Sequence, residues 1–124
     1  MVGAVPGRAA MSGRLTLGYR VARTPAGAPG LVSAPGEPVA GHEFHRTTVE
    51  PGHGGLVDGW HAGWTFDDLG YGGRTEGFAR AALHAAYLHV HWAGQPQAAE
   101  RLIAAARSAR AAAARREVTE PAGA

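Results

Sequence analysis

Glycine and proline are crowded into one part of this chain, and that distribution limits what it can fold into. Of 124 residues, 19 are Gly and 8 are Pro, and they fall largely before residue 75. Both residue types interrupt regular elements, so this part must be short strands and turns with little long helix. The last third is the opposite. No Gly or Pro interrupts Gln97 to Glu117, alanine fills about half of it, and Pro96 suits a first helical turn. The spacing of Ala99, Leu102, Ile103 and Ala106 predicts one narrow buried stripe on that helix.

Two strands are clear from alternation. In 14–23, Leu15, Leu17, Tyr19 and Val21 share one face and Arg14, Thr16 and Arg20 the other. In 39–49, His42, Phe44 and Arg46 face one way, and Glu43, His45 and Thr47 the other, with β-branched Thr47, Thr48 and Val49 at the end. Short strands are expected at 31–33 and within 60–67. The stretch 76–91 has helical composition, yet Tyr87, His89 and His91 alternate with Leu88, Val90 and Trp92, so it is expected to be one strand. The domain is drawn at residues 1–116, with 117–124 a flexible tail.

The formal charge of +2 comes from twelve arginines against ten acidic residues, with no lysine. Arginines 101, 107, 110, 115 and 116 spread around the helix without an aromatic to stack on a base, which describes a solvated face rather than a nucleic-acid surface. With no cysteine, the chain can form no disulfide, thiolate zinc site or cysteine nucleophile of its own. No segment approaches the about 20 apolar residues of a membrane span, and the first residues hold no signal-type apolar core. A cytoplasmic protein without a membrane partner is expected.

Seven histidines invite a metal reading. His42 and His45 lie on opposite strand faces, which is poor for chelating one ion. His89 and His91 share a face and could bind zinc if His84 or Glu43 came near, but spacing does not bring that third ligand to them. A general-base role suits one histidine better, because imidazole exchanges protons near neutrality. No metal ligand is assigned, and His42, Glu43 and His45 receive no role. Trp60, Trp64 and Trp92 are expected to pack.

Four blocks occur together in order: Arg14-Leu-Thr-Leu-Gly-Tyr-Arg20, Gly41-His-Glu-Phe-His-Arg46, Glu76-Gly-Phe78, and His84 through Gly94 followed by Pro96. Together they resemble the C-terminal part of the cobyrinate (or hydrogenobyrinate) a,c-diamide synthases, glutamine-dependent amidoligases of cobalamin biosynthesis. The resemblance implies an α/β fold, the C-terminal half of a flavodoxin-like class I glutamine amidotransferase domain, with part of a parallel sheet. It also implies that a P-loop domain using ATP and Mg2+ and a nucleophilic cysteine lie upstream of the part that Val2 to Pro6 resembles. Glutamine and a corrinoid are then the substrates.

By motif position, the histidine that activates the cysteine is His89, following Tyr87 and Leu88. This chain has the base without the nucleophile, and Gly52-His-Gly-Gly55 lacks the Lys-Ser/Thr ending of a phosphate loop, so alone it should not hydrolyse glutamine or hold a cofactor. Ala81, Ala82 and Ala86 stand where the family more often has Gly, Asn and Ser. The alternatives are a non-catalytic subunit that completes a split amidotransferase through an upstream half carrying Cys and P-loop, and a His-rich metal-binding module.

Overall fold

The computed structural model describes residues 3–50, 59–67 and 73–119. Two long strands, β1 (Arg8–Arg23) and β2 (Pro38–Glu50), pair antiparallel with a register shift between Met11 and Thr16. Five short strands follow: β3 (Trp64–Phe66), β4 (Thr75–Glu76), β5 (Phe78–Arg80), β6 (Leu83–Ala85) and β7 (His89–Val90). A single 3₁₀ turn at Trp92–Gly94 leads into α1 (Pro96–Thr119). The main sheet has the order β4-β3-β1-β2-β7, and β5 and β6 form a separate hairpin. The chain is thus a small α/β domain of short sheet strands and one helix.

Both long strands lie where alternation put them, although β1 starts earlier, at Arg8. Three strand expectations need correction. Among the described residues every strand pairing is antiparallel, where part of a parallel sheet was expected. Residues 31–33 are not a strand: Thr24 ties them down by donating from Oγ1 to the Ser33 carbonyl at 3.1 Å and meeting Ser33 Oγ at 2.8 Å. The short strand expected within 60–67 is Trp64–Phe66, and His61 adds one bridge to Ala79.

The stretch 76–91 is not one strand either. Gly77, with φ of 75°, and Ala81, with φ of 46°, bend it out of extended geometry, so it contributes to β4, β5, β6 and β7 in turn. The turns at these two residues interrupt the strand before the alternation at 87–92 begins. The sequence also predicts a loop at 50–59 and a Gly-rich turn at 70–73, both largely outside the described residues.

The core is small. Ala22, Val39, Trp64, Phe66 and Leu88 are buried together, with Val32 and Val90 packed against them. Trp64 is thus in the core, and Trp60 meets Phe78 edge-on with ring centroids 6.1 Å apart. Trp92, expected to pack, is 55% exposed. The helix forms as expected and carries on through 117–119, three residues assigned to a flexible tail. Its expected stripe does not bury: Ala99 and Ala106 are exposed and Ile103 is 52% exposed, while Ala98 is the helix residue fully covered. Helix propensity, more than tertiary contact, holds α1. Among the described residues no helix is long and apolar enough to cross a membrane.

The two bends make opposite predictions. A Cβ at Gly77 would lie 2.6 Å from the Ala85 carbonyl oxygen in addition to the positive φ. Gly77→Ala is therefore expected to lower unfolding stability by about 1–3 kcal/mol. Ala81→Gly relieves its positive φ and is expected to raise stability by about 1 kcal/mol. Urea denaturation of the two variants beside the parent measures both signs.

Candidate functional site

Each face of the β1–β2–β7 sheet carries its own cluster of titratable and aromatic side chains. Cross-strand partners share a face, so the register places Tyr19 beside His42 and His42 beside His89, in a row across three strands. Tyr19 and His42 have ring centroids 5.3 Å apart, His42 and His89 6.2 Å, and Phe44 stacks on His42 at 6.4 Å. This is the outward face, and His89 is exposed on it. His89 Nδ1 lies 2.9 Å from the His42 backbone oxygen. A carbonyl can only accept, so Nδ1 carries the proton and Nε2 of the neutral ring keeps a lone pair directed away from that anchor. A fixed ring with a basic Nε2 is the form that a general base needs.

The inward face carries the strongest electrostatic feature. Glu43 is fully buried and accepts from Arg20 Nε and Arg74 Nη2, both at 2.8 Å on Oε2. Burial by itself would raise the Glu43 carboxyl, but the hydrogen bonds and charges of Arg74 and Arg20 outweigh it and hold the group below its ordinary value. Gly18, opposite Glu43, makes room for this: a Cβ there would lie 2.6 Å from Arg20 Nη1. His45 donates from Nδ1 to the Thr47 carbonyl at 2.9 Å, and its Nε2 sits 3.6 Å from Glu43 Oε1. The His45 ring stacks on Tyr87 at 4.1 Å.

Glu76, also buried, accepts the Tyr87 backbone N–H on Oε1 at 2.8 Å, and Oε2 has no hydrogen-bond partner. Burial pushes the Glu76 carboxyl up, helped by the charge of Glu43 and only partly offset by the Tyr87 N–H and Arg74. A cavity of about 500 Å³ opens here, lined among others by Thr16, His45, Arg74, Glu76, Phe78 and Tyr87.

The histidines are thus dispersed. His84 packs edge-on to Trp64 with centroids 4.7 Å apart, and burial lowers its tendency to protonate. Glu43 is committed to two arginines on the face opposite His89. Among the described residues no three of His, Cys, Asp and Glu gather closely enough to hold a metal ion, so the zinc arrangement of His89 and His91 with His84 or Glu43 does not form. The phosphate-loop candidate 52–55 lies outside the described residues. The Glu43–Arg20–Arg74 group, the Glu76–Tyr87 tie and the cavity went unrecognised in the sequence. The one available signal was Arg20 on the strand face opposite Leu15, Leu17, Tyr19 and Val21.

No family model matches the chain, and no solved structure matches it. Curated relatives do. The chain is 47% identical over 110 residues to the hydrogenobyrinate a,c-diamide synthase of Thermobifida fusca, covering 85% of this chain and 21% of that protein. It is 43% identical to the enzyme of the same description from Streptomyces coelicolor, covering 83% of this chain and 19% of the relative. It is 40% identical to the cobyrinate a,c-diamide synthase of a Synechococcus strain, covering 90% and 23%. These proteins share one class, the a,c-diamide synthases that act on a cobyrinate or hydrogenobyrinate. Over the matched portion the chain belongs to the hydrogenobyrinate/cobyrinate a,c-diamide synthase family, and it spans about a fifth of the length of these relatives.

The two buried carboxyls should respond to pH in opposite directions. A raised carboxyl binds its proton more tightly when folded, so Glu76 costs stability as pH rises above its ordinary 4.5. Glu76→Gln keeps the acceptor for Tyr87 and removes that cost, so its stability relative to the parent should rise from pH 4 to pH 7. Glu43 is held low, so its contribution is present above 4.5 and lost as pH falls through the lowered value. Glu43→Gln should cost about 1.5–3 kcal/mol at neutral pH and less in acid. Urea midpoints across this range, with both slopes taking the same sign, would contradict the assignment.

Proposed function

We propose that this chain provides the general-base part of the glutamine amidotransferase site of an a,c-diamide synthase, with His89 as the base. The observation that carries this is the anchoring of His89 Nδ1 on the His42 carbonyl at 2.9 Å, which leaves Nε2 basic on an exposed face. The kinship with the a,c-diamide synthases and the place of His89 in Tyr87-Leu88-His89 support it. Since this chain has no cysteine, the thiol must come from the rest of such a synthase. The finer fold goes with this proposal: a flavodoxin-like class I amidotransferase domain whose parallel strands belong to that remainder, and whose antiparallel margin is the sheet seen here.

The chemistry is acyl transfer. His89 Nε2 takes the proton of a cysteine thiol, and the thiolate attacks the glutamine carboxamide carbon. Collapse of the tetrahedral adduct breaks the C–N bond, the His89 proton leaves with the nitrogen as ammonia, and a glutamyl thioester remains. Water, deprotonated by the same imidazole, then releases glutamate and restores the thiol. The ammonia serves to amidate two carboxylates of the corrinoid. In this proposal glutamine and the corrinoid are the substrates, and the setting is cytoplasmic.

ATP and Mg2+ do not fit the groups described here. Glu43 is paired with two arginines, and among the described residues no three of His, Cys, Asp and Glu gather closely enough to hold a cation. No step is routed through them in this chain.

The test is a chimera of the Thermobifida fusca synthase whose matched segment is exchanged for this chain. His89→Ala should lower its glutaminase rate by about 10²-fold or more. Amidation driven by free ammonia should persist. An unchanged glutaminase rate would remove His89 from the role of base.

A further inference from the structure

The usual arrangement of a half-covered antiparallel sheet is apolar inward and polar outward. Over much of β1–β2 this chain inverts it. Inward-facing positions include Arg20, Glu43 and His45, whereas the outward face carries Leu17 at 55% exposure, Tyr19 at 87%, Val21 at 44% and Phe44 at 59%. These residues are contiguous, because the register sets Leu17 beside Phe44, Tyr19 beside His42 and Val21 beside Ala40. Scattered exposed apolar residues are ordinary, but a continuous apolar patch on a sheet marks a contact surface.

We infer that the outward face of Leu17, Tyr19, Val21 and Phe44 is the surface on which the remaining portion of an a,c-diamide synthase docks, bringing its cysteine against His89. Two observations select this occupant. The Thermobifida fusca relative matches over 21% of its length, so about four-fifths of such a protein lies outside the matched part. His89 stands in the same cross-strand row as Tyr19 and His42, at the edge of the patch. Resting on the amidotransferase function proposed above, a thiol can reach His89 Nε2 within hydrogen-bond distance only if the polypeptide carrying it lies over this face. Covering the patch would also desolvate the imidazole and exclude bulk water from the thioester. Ile103, equally apolar and 52% exposed, lies on α1 away from the sheet and serves as the internal control.

Hydroxyl-radical footprinting read by mass spectrometry tests this without mutation. Leu17, Tyr19 and Phe44 should be reactive in the free chain and about tenfold or more protected in the full-length chimera, while Ile103 reacts alike in both. Where the chimera is insoluble, the same measurement at the aligned positions of the Thermobifida fusca synthase decides the question. Reactive patch residues in an assembly that hydrolyses glutamine through His89 would overturn the docking face and leave the base in place. Protection in an assembly whose glutaminase ignores His89→Ala would leave the docking face and overturn the base. Concentration-dependent protection of the patch in the free chain would assign the face to a second copy and overturn the inference.

Discussion

The structure depends on one buried carboxylate. Glu43 reaches from β2 to Arg20 on β1 and to Arg74 just before β4, so a single group ties three separate segments of chain. A carboxylate at zero exposure is tolerable only because two guanidiniums 2.8 Å away replace its lost hydration. Removing either arginine would leave the buried carboxylate with one guanidinium instead of two, and removing both would leave a charge in a dry environment.

That arrangement explains why the inward face is chemically mixed. The apolar core of Ala22, Val39, Trp64, Phe66 and Leu88 lies at one end of the β1–β2 ribbon. Beyond it, the ion pairs, the His45–Tyr87 stack and the Glu76–Tyr87 hydrogen bond take over. The segment 86–88 is thus held from beneath by two side chains of different strands immediately before it delivers His89 to the outer face. Holding Tyr87 in this way positions the His89 imidazole two residues on while leaving it exposed.

The parts that were legible in the sequence are those governed by local rules. Strict alternation identified β2 and assigned His42, Phe44 and Arg46 to the face opposite Glu43, His45 and Thr47, as the structure has it. Alanine density identified α1. Residues 76–91 differ from the expected strand because their alternation is local to 87–92, whereas Gly77 and Ala81 set the path by taking positive φ. The helical stripe is covered only in part: periodicity offers a face, but Leu102 is half-buried and Ile103 is 52% exposed.

By itself the sequence determined the strand-then-helix order, the two-faced character of β1 and β2, the absence of a thiol, and kinship with the a,c-diamide synthases through four ordered motifs. It could not decide which face of the sheet turns inward. Period-two alternation is symmetric between the two faces, and composition points to Leu17, Tyr19, Val21 and Phe44 as the covered side. Tertiary structure decided otherwise, because Glu43 can be buried only where Arg20 and Arg74 converge, and that requirement turns the apolar residues and His89 outward together.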